Sequence, residues 1–169
     1  MDGVVVRPGE SGDLPRLTDL YNHYVETSPA TFDLKPASLD ARRQWMSRFA
    51  DAGPHRLLVA IDKGAIAGYA TSGKLREKPG YLTSVETTVY VHPDRIGRGI
   101  GTLLYAELFA ALGREDVHRA YAAIVVPNPA SAALHARFGF EPVGLFREAG
   151  RKFGRYWDVA WFERPLPWL

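Results

Sequence analysis

The chain has 169 residues, of which 46% are hydrophobic and 24% charged, a composition that suits one globular domain and excludes a disordered chain. Its 21 basic and 19 acidic residues leave a net charge of +2, so nucleic acid is not an expected partner. Cysteine is absent, which excludes disulfides, thiolate metal sites and a cysteine nucleophile. We find no signal peptide and no run of 18 apolar residues. The expectation is a single cytoplasmic domain over residues 1–169, with no membrane partner.

The first third of the chain predicts one strand followed by two helices. Val4–Val6 is a short β-favouring run. Asp13 stands where it could cap a helix whose apolar residues recur at helical spacing from Leu14 to Val25. After a loop, Ser38 could cap a second helix that carries apolar residues as far as Phe49.

The pattern then changes to a mixture of strands and helices. Asp62-Lys63-Gly64 is a turn signal between two apolar runs and predicts a hairpin. Strands are predicted at 57–61, 65–72, 82–91, 121–126, 140–146 and 156–162, and helices at 103–112 and 129–138. The order β-α-α-β-β-β-α-β-α-β-β predicts an α/β (α+β) fold with a single mixed sheet and helices on both faces.

A glycine-rich turn, Gly97-Arg98-Gly99-Ile100-Gly101, lies between a predicted strand and a helix. Glycine lets the backbone approach a ligand closely, and a helix N-terminus offers unpaired N–H groups to an anion. The lysine and hydroxyl of a P-loop are missing, and Thr102 stands where a dinucleotide fingerprint has its third glycine. The turn therefore predicts a pyrophosphate site of another kind, with a purely structural turn as the alternative.

Val89-Tyr90-Val91-His92-Pro93 followed by Gly-x-Gly-x-Gly resembles the acetyl-CoA signature of the GNAT superfamily of N-acetyltransferases. Within it, further segments are similar to phosphinothricin acetyltransferases and methionine sulfoximine acetyltransferases: 21–32, 85–91, 127–140 and 150–159. The resemblance covers nearly the whole chain. It implies a mostly antiparallel, twisted sheet and acetyl-CoA as co-substrate without a metal, and we expect a homodimer. The chain departs from the family at Ile96, where an arginine or glutamine usually opens the turn.

The resemblance also implies where acetyl-CoA binds. It places the co-substrate against Val89, Tyr90, Val91, Gly97, Arg98, Gly99, Ile100, Gly101, Thr102 and Asn128. The backbone N–H of Val91 would polarise the thioester carbonyl.

Glu86 is the first candidate for proton transfer. Glutamate is depleted in strands, and its β-favouring neighbours indicate a central, largely buried strand. Burial raises the pKa of a carboxyl toward the range useful for a general base, and the resemblance places the family's catalytic glutamate here. A solvent-facing glutamate or a structural ion pair is the alternative.

His135, on the short helix after the next strand, is the second candidate. It stands where many members of the superfamily carry a tyrosine that protonates the leaving thiolate, and phosphinothricin acetyltransferases have histidine. Its imidazole could assist either proton step. A histidine that is merely packed in the core is the alternative.

The acceptor is expected to meet a basic loop. Lys74, Arg76 and Lys78 precede Tyr81 in the loop that leads into the Glu86 strand, and an arginine there could bind a carboxylate or phosphinate bidentately. A solvated run of charges is the alternative. Phe32 resembles the family's aromatic residue in the substrate loop.

The implied activity is transfer of acetyl from acetyl-CoA to the primary amine of a small amino-acid-like acceptor, of the phosphinothricin or methionine sulfoximine type. The amine would attack directly, since the chain has no cysteine nucleophile. Two alternatives stay open. One is acetylation of a polyamine, a peptide N-terminus or an aminoglycoside, and the other is a non-catalytic CoA-binding sensor module.

Overall fold

The computed structural model describes residues 3–166, and within them it contains seven strands and four α-helices in the predicted order. The helices are α1 Leu14–Thr27, α2 Leu39–Met46, α3 Ile100–Leu112 and α4 Pro129–Arg137. The strands are β1 Val4–Pro8, β2 Arg56–Asp62, β3 Ala65–Lys74, β4 Ser84–Val91, β5 Arg119–Val126, β6 Glu141–Lys152 and β7 Arg155–Pro165. No helix in the described part of the chain is long and apolar enough to cross a membrane.

The strands form one sheet in the order β1-β2-β3-β4-β5-β7-β6. Across residues 3–166, β4 and β5 pair in parallel, and the other neighbouring strands pair antiparallel. The parallel pairing is short, since it joins Ser84–Glu86 to Arg119–Tyr121 and then stops. Beyond that point the two central strands separate, and a cleft opens in the middle of the sheet.

A hydrophobic core lies on each face of the sheet, which confirms the predicted mixed sheet with helices on both faces. On one face, Leu104 and Leu108 of α3 are fully buried against the sheet. On the other, Leu17 of α1 packs with Val59 of β2 and Tyr69 of β3, each at most 1% exposed. Helix α1 has an apolar stripe and α3 is almost wholly apolar. Both patterns fit helices that bury their apolar residues against a sheet.

Three sequence expectations differ from the structure in detail. The helix predicted to reach Phe49 ends at Met46, although Phe49 still packs on the core of that face. Asp13 occupies the N-cap position of α1, but its carboxylate accepts from Arg7 and from the backbone N–H of Glu10 instead of capping the helix. The strand predicted to end at 146 continues to Lys152, because a register shift after Phe146 lets its pairing with β7 resume.

Candidate active site

The cleft between the separating strands has a volume of about 540 Å³ and passes through the sheet. The β4 side is lined by residues 87–91, and the β5 side by residues 123–125. One mouth lies at the glycine turn and the start of α3, and the other lies at Tyr24, Ser28 and Ala30 beside the end of α1. A larger open depression of about 770 Å³ lies elsewhere, between α1 and the β2–β3 turn, and none of the sequence-predicted site residues lines it.

The glycine turn forms the first mouth of the cleft. Gly97 and Gly99 have φ of +78° and +76°, a backbone conformation that favours glycine. Gly99 is the N-cap of α3, and Gly101 lies in the first turn, where a Cβ would come within 3.1 Å of Leu134. The first N–H groups of α3 have no partners within the helix, so this mouth presents unpaired donors and a partial positive charge. It suits an anion such as a diphosphate.

The other predicted residues of the turn have different positions. Ile100 is buried in the core cluster and also lines the cleft, as Thr102 does. Ile96 is 60% exposed at the mouth, and Arg98 is exposed and lies outside the cleft lining. Contacts between this segment and a diphosphate would therefore come mainly from the backbone.

Arg95 lines the same mouth and was missed by the sequence analysis. Its Nε donates to Oδ2 of Asp62 at 2.8 Å, and the side chain of Asp62 is 12% exposed. This ion pair fixes the start of the glycine turn to the end of β2. Nothing in the local sequence connects two residues 33 positions apart.

The alternation of hydrogen bonds between β3 and β4 determines which backbone groups of β4 face the cleft. The backbone N–H of His92 donates to the carbonyl of Ala67 on β3 at 2.8 Å. Because bonded and non-bonded pairs alternate in an antiparallel ladder, the N–H and C=O groups of Val89 and Val91 point away from β3. They face the side from which β5 has separated. An extended ligand lying in the cleft could pair with this edge as a strand would.

Two tyrosines complete that edge. The hydroxyl of Tyr24 donates to the carbonyl of Val91 at 2.6 Å, a contact that sequence reasoning missed. Tyr90 pairs with Tyr69 on β3, and its ring packs on Tyr24 with 5.0 Å between centroids. Tyr90 thus supports the wall of the cleft, while Val91 supplies the backbone groups.

Glu86 lies on the α1 face of the sheet, one residue before the cleft-lining stretch. Its alternation with Val85 and Thr87, both buried beneath α3 and α4, fixes that orientation. Partial burial raises the pKa of the Glu86 carboxyl, and the positive charge of Arg76 partly opposes this rise. The arrangement supplies a carboxylate near the second mouth that accepts a proton more readily than an exposed glutamate.

His135 lies at the α3–α4 side of the cleft and is 3% exposed. Its Nδ1 lies 2.7 Å from the carbonyl oxygen of Ser131, so Nδ1 carries the proton. The Nε2 atom then accepts from the hydroxyl of Tyr105 at 2.9 Å. Desolvation lowers the pKa of His135, which makes the neutral imidazole the dominant form at pH 7. Asn128 lies nearby as the N-cap of α4, and its side-chain oxygen accepts from the backbone N–H of Ser131.

The predicted acceptor residues are only partly brought together. Arg76 lies near Glu86 and at 5.8 Å from the ring of Trp161. Lys74 is paired across the sheet with Val85, on the face opposite Glu86, and forms an ion pair with Glu77 at 3.1 Å. The alternation of β3 therefore turns Lys74 away from the side that carries Glu86.

Phe32 and Tyr81 occupy separate positions. The ring of Phe32 lies directly over Gly150 of β6, where any Cβ would clash with it. Tyr81 is 44% exposed in a short 3₁₀ turn and lies close enough to Tyr121 of β5 to influence its pKa. No group of three or more histidine, aspartate or glutamate side chains within residues 3–166 could hold a metal ion.

Comparison with known proteins identifies this arrangement. Residues 17–140 match the acetyltransferase (GNAT) family. The chain is 63% identical over 165 residues to a phosphinothricin N-acetyltransferase of Streptomyces coelicolor, with 96% of each protein covered. It is 35% identical over 162 residues to an L-methionine sulfoximine/L-methionine sulfone acetyltransferase of Pseudomonas aeruginosa, covering 95% of this chain and 94% of that protein.

A solved structure of the same family has the same fold. A GNAT superfamily phosphinothricin acetyltransferase from Sinorhizobium meliloti, in complex with acetyl-CoA, superimposes with a TM-score of 0.92 at 32% identity, covering 96% of this chain and 88% of that one. The chain belongs to the GNAT acetyltransferase family. It is an acyltransferase that uses acetyl-CoA and an amine, and the predicted fold, family and co-substrate are confirmed.

Proposed function

We propose that the protein transfers acetyl from acetyl-CoA to the primary amine of a small amino-acid-like acceptor, of the phosphinothricin or methionine sulfoximine type. The observation that carries the proposal is a cleft through the sheet, with helix N–H groups at one mouth and the half-buried carboxyl of Glu86, whose pKa the charge of Arg76 influences, near the other. Two reactants can thus approach from opposite faces of the sheet. The names of the two relatives support this class of acceptor.

The first mouth and the β4 edge bind the co-substrate in this proposal. Gly97–Thr102 offers backbone N–H groups to the diphosphate. Val89 and Val91 offer the cleft-facing N–H and C=O groups to the extended arm, and the amide nitrogen of Asn128 adds a donor. The N–H of Val91 polarises the thioester carbonyl as an oxyanion donor, an interaction that gains strength as charge develops on that oxygen.

Glu86 acts as the general base at the second mouth. An acceptor amine is mostly protonated at neutral pH, and only its neutral form can attack the thioester carbon. The Glu86 carboxylate takes the ammonium proton through a water, and the neutral amine then attacks the thioester carbon. The C–N bond forms, the C–S bond breaks, and the nitrogen gives up its second proton, which balances the charge of the departing thiolate. The raised pKa of Glu86 improves its match to this task. Arg76 holds the acceptor carboxylate, whose charge its guanidinium complements.

His135 assists the second proton step, in which the departing thiolate is protonated. Its Nε2 already accepts a hydrogen bond from Tyr105 inside the cleft wall. The proton that reaches the sulfur is the second proton of the attacking nitrogen. The neutral imidazole relays it to the thiolate and returns to its neutral form. Phe32 and Tyr81 border the acceptor, whereas the position of Lys74 gives no support to a direct role.

Release of the CoA thiol in the presence of candidate amines tests this function. Phosphinothricin, methionine sulfoximine and free amino acids should be consumed with a far higher kcat/KM than a polyamine, an aminoglycoside or a peptide N-terminus. A preference for amines without a carboxylate would replace the proposed acceptor by one of those alternatives. CoA binding without turnover of any amine would favour a non-catalytic sensor module.

We also propose that the chain forms one domain, acts in the cytoplasm and is a homodimer. A second copy fits the edge strand β6, because this 12-residue strand exposes Val143, Leu145 and Phe146 to solvent, and such edges are ordinarily covered. Light scattering should give twice the 18.8 kDa chain mass, and Leu145→Glu should yield monomers. A wild-type monomer at micromolar concentration would refute the dimer.

A further inference from the structure

Lys152, at the end of β6, has an unusual position for a lysine. Its side chain is buried, with the residue 4% exposed. Its ammonium donates to the backbone carbonyls of Ser28 at 2.9 Å and Thr31 at 2.7 Å. Burying a charged ammonium is costly unless its hydrogen bonds are satisfied, and here two carbonyl oxygens of a distant loop satisfy them.

Both acceptors belong to the segment 28–38, which joins α1 to α2 without regular secondary structure. The carbonyls of such a segment lack the partners that a helix or sheet would supply. From the other side, the hydroxyl of Tyr21 bonds to the side chains of Thr31 and Asp33 at 2.9 and 2.6 Å. The loop is therefore fixed between α1 and the β6–β7 hairpin.

The same hairpin supports Phe32. The ring of Phe32 rests on Gly150, two residues before Lys152, and a Cβ at position 150 would enter the space of the ring. Alternate residues of a strand point to the same face, so Gly150 and Lys152 together form the surface against which residues 28–32 pack. Ser28 and Ala30 of this segment also line the second mouth of the cleft.

We propose that Lys152 is a positioning residue for the acceptor: it holds the 28–32 loop, and through that loop Phe32, at the distance from the cleft that small amino-acid-like amines require. This inference rests on the proposed function of the second mouth. Lys152 contacts the loop backbone and not the reacting atoms, so it sets acceptor binding and selectivity while the co-substrate mouth, on the opposite face of the sheet, is unaffected.

Steady-state kinetics of two variants and two matched controls test the proposal. Lys152→Met keeps an unbranched apolar side chain but removes the ammonium. Gly150→Ala places a methyl group in the space of the Phe32 ring and displaces the ring. Each should raise the acceptor KM about tenfold, leave the acetyl-CoA KM within about twofold, and reduce the preference for the small acceptor over a bulkier amino acid. Arg151→Met, on the exposed face of the same strand, and Gly144→Ala, where a Cβ meets nothing within 4 Å, should change neither KM.

The possible results distinguish a failure of the Lys152 proposal from a failure of the proposed function. If the acceptor KM and the acceptor preference of Gly150→Ala and of a folded Lys152→Met match those of the wild type, the proposal is overturned. Should Lys152→Met fail to fold, Gly150→Ala alone decides. An equal rise of both KM values in the folded variants would indicate general loosening and would also overturn it. Absence of turnover by the wild type with every amine would instead refute the proposed function.

Discussion

Glu86 of β4 pairs in parallel with Tyr121 of β5, and this is the last pair before the two strands separate. The sheet thus holds the backbone of Glu86 firmly at the point where the cleft begins. A residue at this position is anchored by regular structure and still lies next to an opening, which is what a catalytic side chain needs. One residue further along, β4 becomes a wall of the cleft.

Replacing Gly99 by valine should weaken acetyl-CoA binding. The residue has φ of +76° at the N-cap of α3, so a β-branched side chain both strains the turn and obstructs the approach of the diphosphate. We expect a rise of at least about tenfold in the acetyl-CoA KM, with the acceptor KM little changed. Gly64→Val is the matched control, since Gly64 has φ of +78° in a remote hairpin turn with open space around it. Equal acetyl-CoA affinities of the two folded variants would argue against the assignment.

Arg76→Ala should raise the acceptor KM without changing the acetyl-CoA KM. The guanidinium lies near Glu86 on the acceptor side of the sheet, and its loss removes the partner of the acceptor carboxylate. Lys74→Ala is the control, because Lys74 lies on the opposite face. The two variants are compared by varying each substrate in turn. The proposed contact is wrong if Arg76→Ala impairs amines that lack a carboxylate just as much, or if Lys74→Ala has the same effect.

The buried imidazole of His135 should make stability fall in mild acid. Its pKa in the folded protein lies below the ordinary value of 6.5, so below about pH 6.5 the unfolded chain binds a proton that the folded protein resists. The free energy of unfolding should therefore decrease as the pH falls from 6.5 toward the folded pKa, and stay level above 6.5. Urea unfolding between pH 5 and 8 measures this slope.

His135→Gln should remove that part of the pH dependence. Burial also lowers the pKa of His55, so His55→Gln is the control that separates the two contributions. A slope that is the same in His135→Gln and in the wild type would show that His135 is not held neutral, and would weaken its proposed part in the second proton step.

Local sequence was sufficient to predict some features of the fold and the site but not others. The glycine turn and the Glu86 strand were predictable because φ preference, capping and β propensity act over a few residues. The bond from Tyr24 to Val91 joins residues 67 positions apart, and that from Lys152 to Thr31 joins residues 121 apart. Neither leaves a local signal, because each exists only after the sheet has assembled.

Lys74 illustrates a different limit. A basic loop before the Glu86 strand was visible in the sequence, but the face on which each basic residue lies depends on the register between β3 and β4. That register pairs Gly73, and not Lys74, with Glu86. Since a shift of one residue exchanges the two faces of a strand, composition could predict a basic segment without predicting which of its members meets the acceptor.

The kcat of Glu86→Gln as a function of pH shows whether Glu86 is the general base. The substitution keeps the size of the side chain and removes its basicity, so at pH 7 kcat should fall by about 10²–10⁴-fold with acetyl-CoA affinity little changed. Raising the pH should restore part of the rate, because the free amine then forms without help. A Glu86→Gln protein that retains near wild-type kcat at pH 7 would show that Glu86 is not the general base and would leave His135 as the leading candidate.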